Sequence, residues 1–385
     1  MALEKNLGLL AERYNVPVAD AKIVTAGLRP NPVFSAGLDY QDMLGTGFDA
    51  QNAAGPGEFN FRTDFTLEGG GKRRRRVEAA QAARSVTQLQ LLNATRQVVL
   101  DVQSSFIDVL LAKENLSLAE ANAKAWSAIV EVNAARVKAG DLAQVELLRT
   151  RLAALQSQNL VRQAQLRLHI ASGRLQLLLG RTTAPLDVAG PLRRDTQPIQ
   201  LEEVRELALK LRPDLEAQRR DQFRAQAEID LQLSNAKIDY TVGTMFHRQY
   251  DNGKGNAMGF FFSVPVPLFN RNQGEIERAR QERRQVEARA RALEATIRNE
   301  VENAYQQYAT ARDLLENIEK DMLGQARQVR EITEYSYRRG EASLIELLDA
   351  QRAFNDTMQS YNEARAEFAR SLFLIDSTSG KAVRP

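Results

Sequence analysis

Residues 136–148 read Arg-Val-Lys-Ala-Gly-Asp-Leu-Ala-Gln-Val-Glu-Leu-Leu, and residues 335–348 read Tyr-Ser-Tyr-Arg-Arg-Gly-Glu-Ala-Ser-Leu-Ile-Glu-Leu-Leu. Gly140 and Gly340 are 200 residues apart, and at this offset both copies end on the same Glu-Leu-Leu. Each copy lies between a long and a shorter segment of helical periodicity. Glycine enters the left-handed region without steric cost and so ends a helix. Each copy is therefore predicted to be the turn of a helical hairpin, and the chain to be an internal duplication.

The composition is that of a folded protein without obvious catalytic chemistry. The chain has 385 residues, 43% hydrophobic and 26% charged, and no cysteine, which excludes disulfides and cysteine-based metal sites. His169 and His247 are far apart in sequence, so we expect no metal site, and no motif indicates a cofactor or an enzyme. Net charge is +3 with acids and bases interleaved, which is typical of solvated helix faces rather than of nucleic-acid binding. The basic run at 72–76 leads directly into a helix and has no aromatic partners, so we expect no nucleic-acid partner.

Targeting signals leave two readings open. No apolar run is long enough for a membrane-spanning helix, and Met1 leads directly into an amphipathic helical start with no visible signal peptide. Taken literally, this indicates a soluble cytoplasmic protein. The alternative is a chain whose leader has been removed, and the strand patterns decide between the two.

Two regions change from helical periodicity to strict alternation. Residues 33–69 and 239–269 are predicted to form two hairpins, with a glycine-rich loop at 43–57 and a turn at 251–256. Strands of about ten residues with one apolar and one polar face are typical of membrane β-barrels, whereas the alternative is a half-buried hairpin in a soluble sheet. The side chains predicted to face lipid are Phe34, Leu38, Phe59, Phe61, Phe65, Phe246, Phe260 and Phe262.

The remaining chain is predicted to be helical, so the fold class is mainly α with a small β part. The predicted helices are 2–28 with a bend at Pro17, 72–139, 142–180, 201–211, 214–237, 274–339 and 342–375. The summed length of two shorter predicted helices placed end to end matches the length of one long helix. A helical barrel of uniform height requires such a match. The predicted helical domain comprises 1–32, 70–180, 214–238 and 270–376, and 181–213 form a connector.

The predicted strands require more than one chain. Four strands cannot close a barrel around a channel, and an open sheet would leave bare edges. Three chains would supply twelve strands and a water-filled bore. Physics alone does not decide between three chains and four.

The whole chain resembles the TolC-like outer-membrane efflux proteins, through the duplicated turns and the acidic-apolar stretch that follows Gly340. The motifs at 29–32, 70–73 and 267–274 look like the cobalt–zinc–cadmium (CzcC-like) branch. The resemblance implies a homotrimer with a twelve-strand β-barrel in outer-membrane lipid and a periplasmic helical barrel. It also implies a passive duct for heavy-metal cations, joined through a periplasmic adaptor protein to an inner-membrane pump.

Two alternatives remain open. The first is a duct of the same family for multidrug or other small-molecule efflux. A soluble coiled-coil scaffold is the alternative of another class, but it leaves the apolar strand faces unexplained. The family carries a signal peptide and often a lipidated cysteine, so we expect an N-terminally trimmed sequence.

The resemblance also assigns roles at the two turns. The residues expected to dock onto the adaptor are Gly140, Leu142, Val145, Gly340, Ser343 and Leu344. Glu346 and Asp349 lie on one helical face and are expected to form acidic rings at a closed periplasmic entrance, with raised pKa values. Glu146 is expected to contribute more weakly, and Tyr337, Arg338 and Arg339 to hold the entrance shut. The alternatives are that the glycines are only helix caps and that the acids are only solvated.

Overall fold

The computed structural model describes residues 1–41, 43, 45, 57–181, 186–195, 197–249 and 255–381. The predicted loop 43–57 and turn 251–256 lie largely outside these residues. Helices dominate, and four strands form one sheet. In chain order the elements are α1 (Ala2–Lys5), α2 (Leu7–Ala26), β1 (Val33–Asp39), β2 (Glu58–Leu67), α3 (Lys72–Ala139), α4 (Gln144–Leu178), α5 (Leu201–Leu211), α6 (Pro213–Asn235), β3 (Tyr240–Gln249), β4 (Gly255–Ser263), α7 (Gln273–Asn317), a π-helical turn (Ile318–Met322), α8 (Leu323–Arg339) and α9 (Leu344–Thr378).

The helix bounds follow the predicted ones closely, with one correction near the N terminus. A single helix was predicted over 2–28 with a bend at Pro17, but the interruption lies at Asn6, and Pro17 is inside α2. The Asn6 side chain accepts a hydrogen bond from the backbone N–H of Leu9 (2.9 Å) and so caps α2. Asparagine offers the backbone this local alternative to a continuous helix.

A second correction concerns the predicted helix 274–339, which contains a π-helical turn at Ile318–Met322. The turn presents Glu319 to the connector, where both carboxylate oxygens accept hydrogen bonds from Arg194 at 2.9 and 2.7 Å. The Tyr361 hydroxyl donates to the same carboxylate at 3.3 Å. The turn therefore anchors part of the connector to the second copy of the duplication.

The four strands form an antiparallel sheet in the order β1-β2-β3-β4. The register places Phe34 opposite Thr63, Phe61 opposite Phe246, and Thr244 opposite Phe260. Side chains directly opposite each other share a face. One face therefore carries all eight residues predicted to face lipid: Phe34, Leu38, Phe59, Phe61, Phe65, Phe246, Phe260 and Phe262.

The opposite face of the sheet is mainly polar. His247 Nε2 lies 3.2 Å from a carboxylate oxygen of Glu58, and Arg62 Nε lies 2.7 Å from Asp64. Phe261 is an apolar exception on this face, and the Arg62 guanidinium covers its ring at 3.9 Å. The sheet thus separates a mainly aromatic surface, on which Arg248 lies opposite Phe59, from a mainly polar one.

The chain divides into two compact units. One comprises Met1–Arg13, Gln90–Glu216 and Ala292–Pro385, and the other comprises Tyr14–Leu89 and Ala217–Arg291. The first unit contains the largest apolar core, in which Tyr308 stacks on Phe368 with ring centroids 5.9 Å apart. The second unit contains the sheet. Within the described ranges, the helices all fall short of the combination of length and hydropathy that a membrane-spanning helix needs.

Two buried arginines in the first unit share one aspartate. Arg212 donates to both carboxylate oxygens of Asp214, at 3.0 and 2.6 Å, and also pairs with Glu300. Arg96 Nη2 lies 3.9 Å from the same aspartate, and Arg96 donates to the Ser377 carbonyl at 3.0 Å. Burial alone would raise the pKa of Asp214, but the Arg212 hydrogen bonds and charge outweigh it and lower that pKa. This cluster ties the start of α6 to α3, α7 and α9.

Candidate functional site

Both predicted turns have the expected backbone conformation. Gly140 and Gly340 have φ of +88° and +81° and follow the last residues of α3 and α8. The backbone N–H of Asp141 donates to the Arg136 carbonyl and that of Glu341 to the Ser336 carbonyl, each at 2.9 Å. These are the bonds of a Schellman motif, which satisfies carbonyls at a helix end. Residues that carry a side chain rarely adopt such φ values, so the backbone conformation alone accounts for glycine at both sites.

The helices that follow the turns begin differently in the two copies. Ser343 caps α9 and forms a capping box: Glu346 donates its backbone N–H to Ser343 Oγ, while the Glu346 carboxylate accepts from the Ser343 backbone N–H (2.7 Å) and hydroxyl (2.9 Å). The matching residue before α4 is Ala143, which has no side-chain acceptor. Hydrogen bonds from the Ser343 backbone and side chain lower the pKa of Glu346. The second turn is therefore the better capped of the two.

A buried polar cluster lies beneath the turns and joins the two copies. Asn133 Nδ2 donates to the Tyr337 hydroxyl (2.8 Å), and that hydroxyl donates to Asn133 Oδ1 (3.0 Å). Asn133 Nδ2 also donates to Thr150 Oγ1 at 2.8 Å. Asn133 and Thr150 are fully buried, and burial raises the pKa of Tyr337. Arg136 adds a bond from its guanidinium to the Tyr337 carbonyl at 3.3 Å.

The sequence did not single out Asn133 or Thr150. The available signal was spacing: Trp126, Ile129 and Asn133 follow each other at three and four residues, so Asn133 continues an apolar stripe of α3. A polar residue on such a stripe needs a buried partner. In the structure this partner is Tyr337 of α8. It lies 204 residues away in sequence, and the sequence alone could not identify it.

The docking residues predicted at the turns differ in exposure. Val145 is 52% exposed and Leu142 half-buried, whereas Leu344 is only 3% exposed. Leu344 packs with Trp126 and Leu347 in the apolar cluster under the turns. Residues three apart share a helix face, so Leu344 follows Leu347 into the core. The prediction that Leu344 presents its side chain to a partner is therefore wrong.

The two predicted gate acids lie on the surface of α9. Glu346 and Asp349 are exposed, and Asp349 has Arg352 at 3.9 Å. Glu146 is half-buried at the first turn. Within one chain the pKa of Glu346 is lowered. The expected rise in pKa applies to carboxylates that symmetry brings together in a trimer, and it stays a prediction.

The residues expected to hold the entrance shut have partners within the same chain. Tyr337 is buried against Asn133. Arg338 donates to Glu334 at 2.6 Å, and the Arg339 guanidinium lies 4.6 Å from the ring of Tyr335. Both arginines are exposed. Tyr337 therefore bonds within its own chain, where it joins the second turn to the first copy.

The sheet is the second candidate site. Phe34, Phe260 and Phe262 lie on its aromatic face, and their side chains are 67%, 82% and 62% exposed. Apolar patches of this kind mark protein or membrane contacts. In the described part of the chain, no group of three or more histidine, aspartate or glutamate side chains is arranged to hold a metal ion.

Comparisons with known proteins found a matching family model, distant relatives and similar solved structures. The model of the outer membrane efflux protein family matches residues 1–181 and 204–380. The cobalt-zinc-cadmium resistance protein CzcC of Cupriavidus metallidurans is 24% identical over 320 residues, covering 83% of this chain and 76% of that protein. Nodulation protein T of Rhizobium leguminosarum bv. trifolii is 21% identical over 97% of this chain and 82% of that protein. The open-state structure of the MtrE outer membrane channel of Neisseria gonorrhoeae superposes with a TM-score of 0.80 at 18% identity, covering 100% of this chain and 88% of that one.

Proposed function

The chain belongs to the outer membrane efflux protein family, and from that premise we propose that it is the outer-membrane exit duct of a tripartite efflux system. Three copies form the duct, and each contributes its four strands to one twelve-strand barrel. The duct conducts passively, and an inner-membrane pump delivers the cargo through a periplasmic adaptor. The family is one of efflux proteins rather than enzymes, as the sequence predicted.

The observation that carries the proposal is the two-faced sheet. One face presents exposed aromatic side chains, whereas the other presents Glu58, Arg62, Asp64 and His247. β1 and β4 are the edge strands, so a neighbouring copy can pair with each of them. Closure through such pairing turns the aromatic face toward lipid and the polar face toward a water-filled lumen.

Heavy-metal cations are the proposed cargo. The similarity to CzcC supports this choice. The similarity to nodulation protein T keeps another small molecule as the alternative cargo. Deleting the gene and testing growth on a panel of metals and drugs distinguishes the two, because only the true cargo becomes more toxic.

We assign the adaptor contact to the exposed part of the turns and the gate to the acids beside it. The docking residues are Gly140, Leu142, Val145, Gly340 and Ser343, and Ile345 joins them because it is 59% exposed at the position matching Val145. Leu344 is omitted because it is buried. Glu346 and Asp349 form the proposed rings, with Glu146 contributing more weakly.

The duct itself is tested by purification and electrical recording. The protein should require detergent, run as a homotrimer in light scattering, and form channels of uniform conductance in a planar lipid bilayer. A monodisperse monomer that is soluble without detergent and forms no channels would instead favour the coiled-coil scaffold.

A further inference from the structure

An exposed apolar segment follows the last strand. Residues 264–269 read Val-Pro-Val-Pro-Leu-Phe. Their four non-proline side chains are exposed, and the exposed fraction reaches 90% at Phe269. No ionisable residue occurs between Gly255 and Asn270, and Arg271 follows immediately. Such a surface requires a partner or an apolar solvent.

The segment continues the aromatic face of the sheet. In β4 the side chains on that face belong to Met258, Phe260 and Phe262. Side chains alternate along an extended chain, so Val264 and Val266 extend the same parity beyond the last paired residue. Pro265 and Pro267 have no backbone N–H to offer a neighbouring strand. The apolar surface therefore extends past the point where strand pairing is supported.

Both ends of the segment are fixed. Ser263 is paired with Thr241 in the sheet. At the other end, Asn272 Nδ2 donates to the backbone carbonyl and the side-chain oxygen of Gln232, at 2.8 and 3.0 Å. In between, the Leu268 N–H donates to the Val266 carbonyl at 2.9 Å, which bends the chain. The backbone of the segment is thus fixed at both ends and bent between them.

The length of the strands sets the depth of the segment in a membrane. β3 has 10 residues. At about 3.4 Å per residue and a tilt of about 45°, a strand of that length rises about 24 Å, close to the apolar band of about 25 Å found in outer-membrane barrels. At the end of the ladder Tyr240 stacks on Phe262, with ring centroids 5.9 Å apart. Aromatic residues of this kind mark the membrane–water interface. Residues 264–269 therefore lie beyond the hydrocarbon band.

We propose that residues 264–269 form an interfacial anchor, in which Phe269 inserts into the phospholipid headgroup layer of the periplasmic leaflet and Arg271 lies among the phosphates. This inference rests on the proposed function in one respect, namely that the sheet spans the outer membrane. A lipid surface fits better than a second copy, because the segment continues the face that is proposed to meet lipid and, at its prolines, offers no backbone donors to a neighbouring strand. Arginine side chains extend toward the polar layer at such interfaces, and girdles of aromatic residues flank the apolar band of outer-membrane barrels.

The absence of cysteine allows a clean test. Single-cysteine variants Phe269→Cys and Val266→Cys are labelled with bimane and reconstituted into vesicles of phosphatidylethanolamine and phosphatidylglycerol. The vesicles carry nitroxide-labelled lipid, with the nitroxide at either the headgroup or a deep acyl position. Phe260→Cys, midway along β4 on the aromatic face, and Lys124→Cys, an exposed site on α3, are the matched controls.

We expect the headgroup nitroxide to quench both labels in the segment more strongly than the deep nitroxide does. The order should reverse at Phe260→Cys, and lipid quenching should be lost at Lys124→Cys. If neither lipid quenches the segment while Phe260→Cys is quenched, a second copy or water covers it, and only this inference fails. If Phe260→Cys is not quenched either, the membrane-spanning role of the sheet fails as well.

Discussion

The Tyr337 hydroxyl and the Asn133 side-chain amide exchange two hydrogen bonds, of 2.8 and 3.0 Å, across 204 residues of sequence. Tyr337 belongs to the second copy of the duplicated hairpin and Asn133 to the first. Both side chains are buried, and Thr150 binds the same amide at 2.8 Å. The pair therefore joins the two copies directly beneath their turns, in a position where an unpaired polar group is costly.

Tyr337→Phe should loosen both turns. The substitution removes only the hydroxyl and leaves the buried Asn133 amide with one partner fewer, at a cost of about 1–3 kcal/mol. Because 1.4 kcal/mol is a factor of ten, amide hydrogen exchange at both turns should accelerate by about 5- to 150-fold. The control is Tyr335→Phe, two residues earlier, since that ring is 56% exposed. Equal exchange in the two variants would contradict the role of the buried pair.

The two copies allow a reciprocal test of capping. Ser343→Ala removes the capping box of α9 and should destabilise its first turn by about 1 kcal/mol, as N-cap losses do. Ala143→Ser should stabilise the first turn of α4, because Ala143 already has extended φ and ψ (−70°, 141°) and Glu146 occupies the matching third position. Hydrogen exchange of the first-turn amides measures both effects. Changes of the same sign in both variants would refute the explanation.

The features of this site that depend only on a residue's own backbone could be predicted from the sequence, whereas those that depend on the packing of distant helices could not. Gly140 and Gly340 were predictable because a left-handed residue at a helix end selects glycine whatever surrounds it. The partnership of Asn133 with Tyr337 depends on how two distant helices pack, and single-sequence periodicity shows only that Asn133 lies on a buried stripe. Leu344 was assigned to docking from its place beside the turn, and the structure shows that it shares the buried face of Leu347.

The fold follows the same division. Alternation predicted which face of the sheet is aromatic, because a side-chain period of two needs no tertiary information. The π-helical turn at Ile318–Met322 was missed because it leaves the helical periodicity on either side intact. Within the turn Glu319 contacts Arg194 and Tyr361, which are far away in sequence.

Substitutions of Gly340 separate docking from capping. Asparagine tolerates the left-handed region, so Gly340→Asn should preserve the turn while adding a side chain at the surface. Valine does not tolerate it, so Gly340→Val should strain the turn, with an expected cost of about 1–3 kcal/mol. If the surface docks onto an adaptor, both variants should remain trimeric and lose efflux in a complementation assay.

The matched pair at the first turn is Gly140→Asn and Gly140→Val, where φ is +88°. Normal efflux in both asparagine variants, with loss only in the valine variants, would mean that the glycines serve as helix caps. In that case the docking assignment at the turns is wrong.

The buried arginine cluster predicts a dependence of stability on pH. The pKa of Asp214 is lowered in the folded chain, so its contribution to stability is present above the ordinary carboxyl pKa and is lost as pH falls through the folded value. Asp214→Asn should therefore lower stability at neutral pH, by about 3 kcal/mol, and flatten the acid limb of thermal unfolding. Asp313→Asn is the control, because its ion pair with Arg312 is exposed and should contribute less than about 1 kcal/mol. Identical acid limbs in wild type and Asp214→Asn would contradict this origin.

The gate prediction can be made sharper than a truncation to alanine allows. Glu346 closes the capping box, so Glu346→Ala removes a charge and a cap together. Glutamine at the same position keeps the capping geometry and removes only the charge. Glu346→Gln and Asp349→Asn therefore test the charges of the proposed rings without disturbing the first turn of α9.

In a trimer the two rings would carry six carboxylates, two from each chain, and clustered carboxylates attract multivalent cations. Divalent or trivalent cations added from the side of the turns should block the wild-type channel in a planar bilayer. The block should weaken in each single variant and disappear in Glu346→Gln/Asp349→Asn. Asp141→Asn is the control, since Asp141 lies at the first turn and is exposed but belongs to neither ring. An unchanged block in the double variant would exclude these acids as the gate. A block lost equally in Asp141→Asn would show that general surface charge, rather than two defined rings, attracts the cations.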